Sequence, residues 1–438
     1  MAKHAKDQET KVIHLKDYQP DHSIERPQVK YEYDGAPKDD FLEEGEEPEE
    51  VRRKKEQRHL PKAVYYISLV LLAVVIGLSL WMNREYLNWD TLKEWTVLQI
   101  RGEENGDGFP VQITGANVYA GNFLCSGGSA VVLSNTAFTS INSRGAQEAS
   151  IQHSLSQPVL QAAGGRYLLY NQGSTGYMTL SAGQVAVSGA AEENIIAGCV
   201  SPQGNFALGL EGNHGASKLQ VFLKDGSLQY EYPFANDYIT AAAINYDGTF
   251  GAVCTVNSEK GEMVSKLTIL DFTQPEPVTQ FETRSNLLWA AYWGENGVIY
   301  AVGDGALVTG KSSDYQFTEF DYQGRQLTAF CLDSGRAFLS ISAYEHVGAS
   351  TLLAFNGGEA YGETNPVRME LSERIEAISV SGGTVGVLAG GQVAFRDYTT
   401  GMELGRADAG ADAKSLALAS ERKAYILGAS EIRTAEIE

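Results

Sequence analysis

Eight stretches of this chain repeat one local pattern: a short apolar run, a tight turn of small or polar residues, and a second apolar run. The clearest copies are AGCVSPQGNFALGL from residue 197, AAAINYDGTFGAVCTV from 241, AAYWGENGVIYAVG from 290, TAFCLDSGRAFLSI from 328 and EAISVSGGTVGVLA from 376. Weaker copies are NFLCSGGSAVVLS from 122, VLQAAGGRYLLYN from 159 and KSLALASERKAYIL from 414. Each reads as two β-strands joined by a glycine-bearing turn. Aligned on the turn, the copies mark Gly128, Gly165, Gly204, Gly248, Gly297, Gly335, Gly383 and, without glycine, Glu421, at steps of 37, 39, 44, 49, 38, 48 and 38 residues. A period near ~40 with four short strands per unit is the pattern of propeller blades. Helical repeats share the period, but segments this short, glycine-punctuated and rich in Val, Ile, Tyr and Phe do not form them. The 46 glycines against 12 prolines, in a chain that is 43% hydrophobic, suit many tight turns around a packed interior.

The second half of the unit recurs as well. GASKLQVF from 215, MVSKLTIL from 263 and GASTLLAF from 348 open a third strand with a small residue, Ser, Lys or Thr, then Leu. The last unit ends after three strands, whereas GFPVQITG at 108–115 is a spare strand ahead of the first. Placing Pro110 to Thr114 as the outer strand of the C-terminal blade removes an otherwise open edge, which is a pairing liability. Eight turns with this closure predict an all-β, eight-bladed β-propeller at 109–438; seven blades is the alternative, because the first two units match poorly.

Residues 63–82, AVYYISLVLLAVVIGLSLWM, carry no charge. Twenty residues at about 1.5 Å each cross a hydrocarbon core of about 30 Å. The run begins too far into the chain and is too long for a cleaved signal peptide, so a single transmembrane signal anchor is expected. Arg52, Arg53, Lys54, Lys55, Arg58 and Lys62 precede it and predict an inside N-terminus, with Tyr65, Tyr66 and Trp81 at the interfaces. The expected organisation is a disordered cytoplasmic tail (1–62), the span (63–82), a linker (83–108) and the extracytoplasmic propeller. Beyond residue 82 lie 39 of the 55 acids and 21 of the 34 bases, a net of −18. Nucleic acid is excluded as a partner, because phosphate binding needs clustered Lys and Arg. Cys125, Cys199, Cys254 and Cys331 stand too far apart for a CxxC motif and read as small buried hydrophobes.

The tail, the single span, NWDTLKEW at 88–95, GFPVQITG and hairpins of the SPQGNFAL type resemble an uncharacterised family of single-pass membrane-anchored propeller proteins of Clostridia-type Firmicutes. The hairpins are also similar to WD40-like and quinoprotein-like repeats, without GH…WD signatures. The resemblance implies a Gram-positive surface setting and carries over no catalytic residue.

Common catalytic signatures are missing from the residues. VGDGALVTG at 302–310 lacks the P-loop lysine and opens no helix, so it reads as a hairpin turn. NYDGTF lacks the spaced acids of a calcium loop. No serine-hydrolase elbow occurs. Trp289 and Trp293, four apart in a first strand, are expected in the core between blades rather than on a sugar-stacking platform, as are Tyr170, Tyr230, Tyr232, Tyr292 and Tyr300. The loops between second and third strands bring Glu211, His214, Lys260, Glu262, Glu345 and His346 to one face of the disc, as a candidate ligand face or as ordinary solvated loops. No metal or cofactor is predicted. The functional expectation is a binding or scaffold module for a protein or cell-envelope ligand, anchored in the lipid bilayer through 63–82. Its alternatives are a propeller enzyme of quinoprotein or lyase type, and a ligand sensor signalling through the acidic tail.

Overall fold

The computed structural model describes Leu71 and residues 106–115, 117–343, 348–357 and 365–438. The tail, the linker to 105 and the span, save for the helical Leu71, lie outside the described residues. Among the described residues no helix is long and apolar enough to cross a membrane. From residue 106 on, the described chain folds as eight four-stranded antiparallel sheets, so eight blades stand and seven is excluded. In blades 1 to 7 (118–152, 158–190, 195–234, 238–284, 288–321, 326–371 and 377–408) the strands lie side by side in chain order. Blade 8 takes Ser415–Ser420, Lys423–Leu427 and Glu431–Glu436 from the C-terminus, and its outermost strand is Val111–Gln112. Val111 pairs with Ile432 and Gln112 with Glu431, and the Ile113 amide donates to the Ser430 carbonyl at 2.9 Å.

The hairpin turns fall where glycine marks them. In Ser-Pro-Gln-Gly the Gly204 amide donates to the Ser201 carbonyl (2.9 Å) at φ +95°, a conformation that costs only glycine nothing. The seventh turn differs by one residue: Gly382, not Gly383, takes the positive φ, of 56°. The Gly383 amide then donates to the Glu421 carboxylate at 2.8 Å. The one turn without glycine thus supplies the acid that caps its neighbour.

Second strands are mostly apolar because most of their length is buried on both faces. All six residues of Val298–Gly303 and of Thr384–Ala389 are buried. First strands touch the first strands of adjoining blades, and fourth strands face outward with exposed polar residues. The core is therefore not one cluster. It is eight, one for each contact between successive blades. Across the closing contact, Tyr425, Leu427 and Ile432 of blade 8 pack on Phe123, Val132 and Ile141 of blade 1. The Tyr425 hydroxyl donates to the Gly128 carbonyl at 2.7 Å.

Two substitutions test closure. Ile432→Ala, at a fully buried position, should destabilise by about 2–5 kcal/mol. Tyr425→Phe should cost about 1 kcal/mol. Both are read from urea unfolding midpoints, and an unchanged midpoint for Ile432→Ala would show that the ring does not depend on its seam.

Candidate functional site

In a sheet whose four strands follow in chain order, the second-to-third loop and the link to the next blade leave from the same end. Glu211 closes the strand Phe206–Glu211 and His214 is exposed in the loop after it. Lys260 and Glu262 sit at the corresponding loop of blade 4, while Glu345 and His346 lie outside the described residues. The contacts of the described residues run to near neighbours. Asn194, in the link ahead of blade 3, donates to Glu211 at 2.9 Å, and Arg284 donates to Glu262 at 3.0 Å. Glu262 thus joins a polar network that reaches Lys266 of the recurring Ser-Lys-Leu phrase, whereas the Glu211 carboxylate, among the described residues, bonds only to the link before its own blade.

In blade 3, Lys218 meets Glu193 at 2.9 Å, Glu192 at 3.3 Å and Glu231 at 3.8 Å. Burial pulls the Lys218 ammonium down, but bonds to Glu193 and Glu192 outweigh it and leave the group above its ordinary value. In blade 4, Lys266 meets Asp237 at 3.1 Å and Glu259 at 3.6 Å, and Asn257 donates to Asp237. Arg284 extends this network to Glu259, Glu262 and Glu282 at 3.4, 3.0 and 2.7 Å. Among the described residues no group of His, Cys, Asp or Glu is arranged to hold a metal ion.

The serine of the same phrase ties blades together. Ser217 Oγ accepts from the Ile239 amide at 3.1 Å and donates to the Asp237 carbonyl at 2.7 Å, both in the lead-in to blade 4. Ser265 accepts from Leu288 of blade 5 at 3.4 Å, and Ser350 from Ile375, ahead of blade 7, at 3.1 Å. The recurrence visible in the sequence is thus a structural device: a buried hydroxyl that satisfies an amide at or just before the start of the next inner strand.

Trp289 departs from the core expected for it. Trp293 is half-buried between Phe250 and Tyr315, with ring centroids at 6.2 and 6.4 Å, and Tyr170 and Tyr300 are buried. Tyr230, Tyr232 and Tyr292 are half-buried, and Tyr292 Oη accepts from the Gly335 amide of blade 6 at 2.9 Å. Trp289, by contrast, is 45% exposed, meeting Phe330 of the next inner strand edge-on at 5.2 Å. The cause is a register shift shared by four inner strands, between Ile195 and Ala197, Ile239 and Ala241, Leu288 and Ala290, and Leu327 and Ala329. The unpaired residues are Ile196, Thr240, Trp289 and Thr328. An extra residue breaks the two-residue alternation, so Trp289 and Trp293 do not share a face. Thr240 donates to the carbonyls of Cys254 (3.1 Å) and Leu288 (2.6 Å), and Thr328 to that of Ser340 (3.2 Å), whereas the indole is left to solvent at the equivalent place.

The cysteines are free thiols; Cys199 and Cys254 are buried, and Cys125 and Cys331 half-buried rather than fully so. Burial pushes the Cys199 and Cys254 thiols up to about 12, out of the range of nucleophiles at neutral pH. Between blades 6 and 7 a shallow pocket lined by Leu371, Glu373, Val387, Gln392 and Arg406 has room for about one water.

Ser217→Ala should lower stability by about 1–3 kcal/mol, because the Ile239 amide is left buried without its acceptor; chemical denaturation checks this. Iodoacetamide at pH 8 should leave Cys199 and Cys254 unmodified until the chain is unfolded, as read by peptide mass mapping.

Residues 112–326 match the model of a family of unknown function, DUF5711. No curated protein matches the chain. Among solved structures it is similar to a chain of hydrazine synthase from Kuenenia stuttgartiensis, at 10% identity over 66% of this chain and 97% of that one, with a TM-score of 0.43.

Proposed function

We propose that this chain is a membrane-anchored binding module. Residues 63–82 hold it in the bilayer and 1–62 stay cytoplasmic. The propeller stands outside the membrane and presents one loop face to a protein or cell-envelope ligand. The observation that carries this reading is Trp289. A tryptophan 45% exposed, on an innermost strand and braced edge-on by Phe330, is the kind of rigid aromatic anchor on which binding surfaces concentrate their energy. The frame behind it is stiff, because Leu288, its neighbour, is fully buried in the contact between blades 4 and 5. Glu211, His214, Lys260 and Glu262 belong to the polar rim of the same face.

The test is chemical crosslinking of the full chain in its own envelope, followed by affinity recovery under denaturing conditions. The wild type should recover a partner above background, and Trp289→Ser should reduce it about tenfold. Recovery of nothing above background would overturn the binding reading. Protease added to intact protoplasts should spare residues 1–62; their digestion would overturn the orientation.

A further inference from the structure

The second and third strands of blade 4, Phe250–Glu259 and Glu262–Asp271, are ten residues each, where the corresponding strands of blade 5 have six. They remain paired to their tips, Glu259 with Glu262. The hairpin is therefore about 13 Å longer than its neighbour's at about 3.3 Å per residue. A two-residue turn closes it, with Lys260 at φ +52° and Gly261 at +86°, the geometry that matches strand twist. The first strand of the blade joins only at Tyr238 opposite Val256, and the fourth strand reaches only to Arg284 opposite Val264. Above that level no further strand pairs with the hairpin among the described residues.

Strand alternation gives this projection two unlike faces. Asn257, Glu259, Glu262 and Lys266 point to one side and form the polar network with Asp237 and Arg284. Lower on the other side, Cys254, Leu267 and Ile269 pack on Leu288 and Ile299 of blade 5. By the same parity Val256, Ser258 and Met263 lie on that side, with Tyr238 directly opposite Val256. Here the cover from blade 5 stops: Tyr238 is 59% exposed and Met263 36%. The strand bearing Met263 runs beside the lead-in to blade 5, since the Ser285 amide donates to the Met263 carbonyl at 3.4 Å. Leu288 is bonded to Ser265 and Thr240, and Trp289 follows it. Tyr238, Val256 and Met263, with Ser258 among them, thus make the wall of a step between blades 4 and 5 above Leu288.

We infer that this step docks an extended segment of a partner protein that carries an aliphatic or aromatic anchor flanked by lysine or arginine. The proposal rests on the binding-module reading and names its surface and partner. Charge selects the occupant. At the hairpin tip Glu259 and Glu262 pair with Lys266 and Arg284, but the local acids Asp237, Glu259, Glu262 and Glu282 outnumber Lys260, Lys266 and Arg284. Exposed Asp304 adds a further negative charge in the second-to-third turn of blade 5, where it accepts from the Leu287 amide at 2.7 Å. The chain beyond the span has a net charge of −18, so a second copy would bring like charge to this rim, whereas a cationic flank is attracted and steered to it.

The probe is a fluorescently labelled heptapeptide alternating lysine with leucine and tryptophan, titrated by anisotropy into the full chain in phosphatidylcholine nanodiscs, with empty discs as the blank. Heptalysine and the same peptide with glutamate for lysine are the controls. The alternating peptide should bind at least about tenfold tighter than either control, and Met263→Asp and Tyr238→Asp should each lose about tenfold. Both positions are exposed, so an unchanged melting temperature should accompany the loss. Equal binding of heptalysine, or no loss in either variant, overturns the proposal. Self-association in sedimentation that Met263→Asp abolishes also overturns it, in favour of a second copy. If the envelope crosslink persists in Met263→Asp while the peptide fails to bind the wild type, this surface is wrong and the binding-module reading stands.

Discussion

The structure depends on closing a ring. A propeller blade is apolar on both broad faces, so no blade can bury itself alone; each is covered by the two beside it. The first and last blades meet this requirement only if they meet each other. Here the ends of the described propeller are locked into one sheet, where Val111 and Gln112 pair with Ile432 and Glu431 and complete the fourth strand of blade 8. Loss of that strand would bare a sheet edge and loosen the Tyr425, Leu427 and Ile432 cluster that seals the last blade to the first.

Within the ring, apolar contact supplies the free energy and buried polar groups set the alignment. Each blade-to-blade contact has its own hydrophobic cluster, and hydrogen bonds cross between blades at defined heights. Asn122 joins blades 1 and 2, Ser217 blades 3 and 4, Ser265 blades 4 and 5, Tyr292 blades 5 and 6, and Ser379 blades 7 and 8. An amide or hydroxyl that must find a partner in the neighbouring blade penalises slippage more sharply than hydrophobic contact does. That rigidity is what allows an exposed side chain such as Trp289 to be held ready rather than collapsed onto the surface.

Much of this was legible in the residues. The hairpin turns could be read because glycine is needed where φ is positive, as at Gly204, so a local steric rule leaves a mark in the sequence. The spare strand in GFPVQITG was legible by counting strands. The Ser-Lys-Leu recurrence was visible, but not its use, because the partners of Ser217 lie some twenty residues on, in another blade. Trp289 departs from the core that its spacing predicts for a related reason. A four-residue spacing from Trp293 means one shared face only on a regular strand, and a bulge has no residue signature of its own: the equivalent positions hold Ile196, Thr240 and Thr328. Loop membership put Glu211, His214, Lys260 and Glu262 at corresponding places, but which charges they meet depends on side chains brought in by the links between blades.

The sequence by itself determined the repeat and the closing strand, because turn stereochemistry and apolar alternation are local and are written in every unit; between eight blades and seven, the assembled sheets decided. Only the tertiary structure decided which blade projects and which aromatic meets solvent. The two faces of the blade 4 hairpin are equally strand-like in sequence. They become unlike because one turns to the Lys266 network and the other rises past the end of blade 5 with nothing from that blade to cover it. Where a neighbouring blade stops is a property of the assembled ring, not of any segment within it.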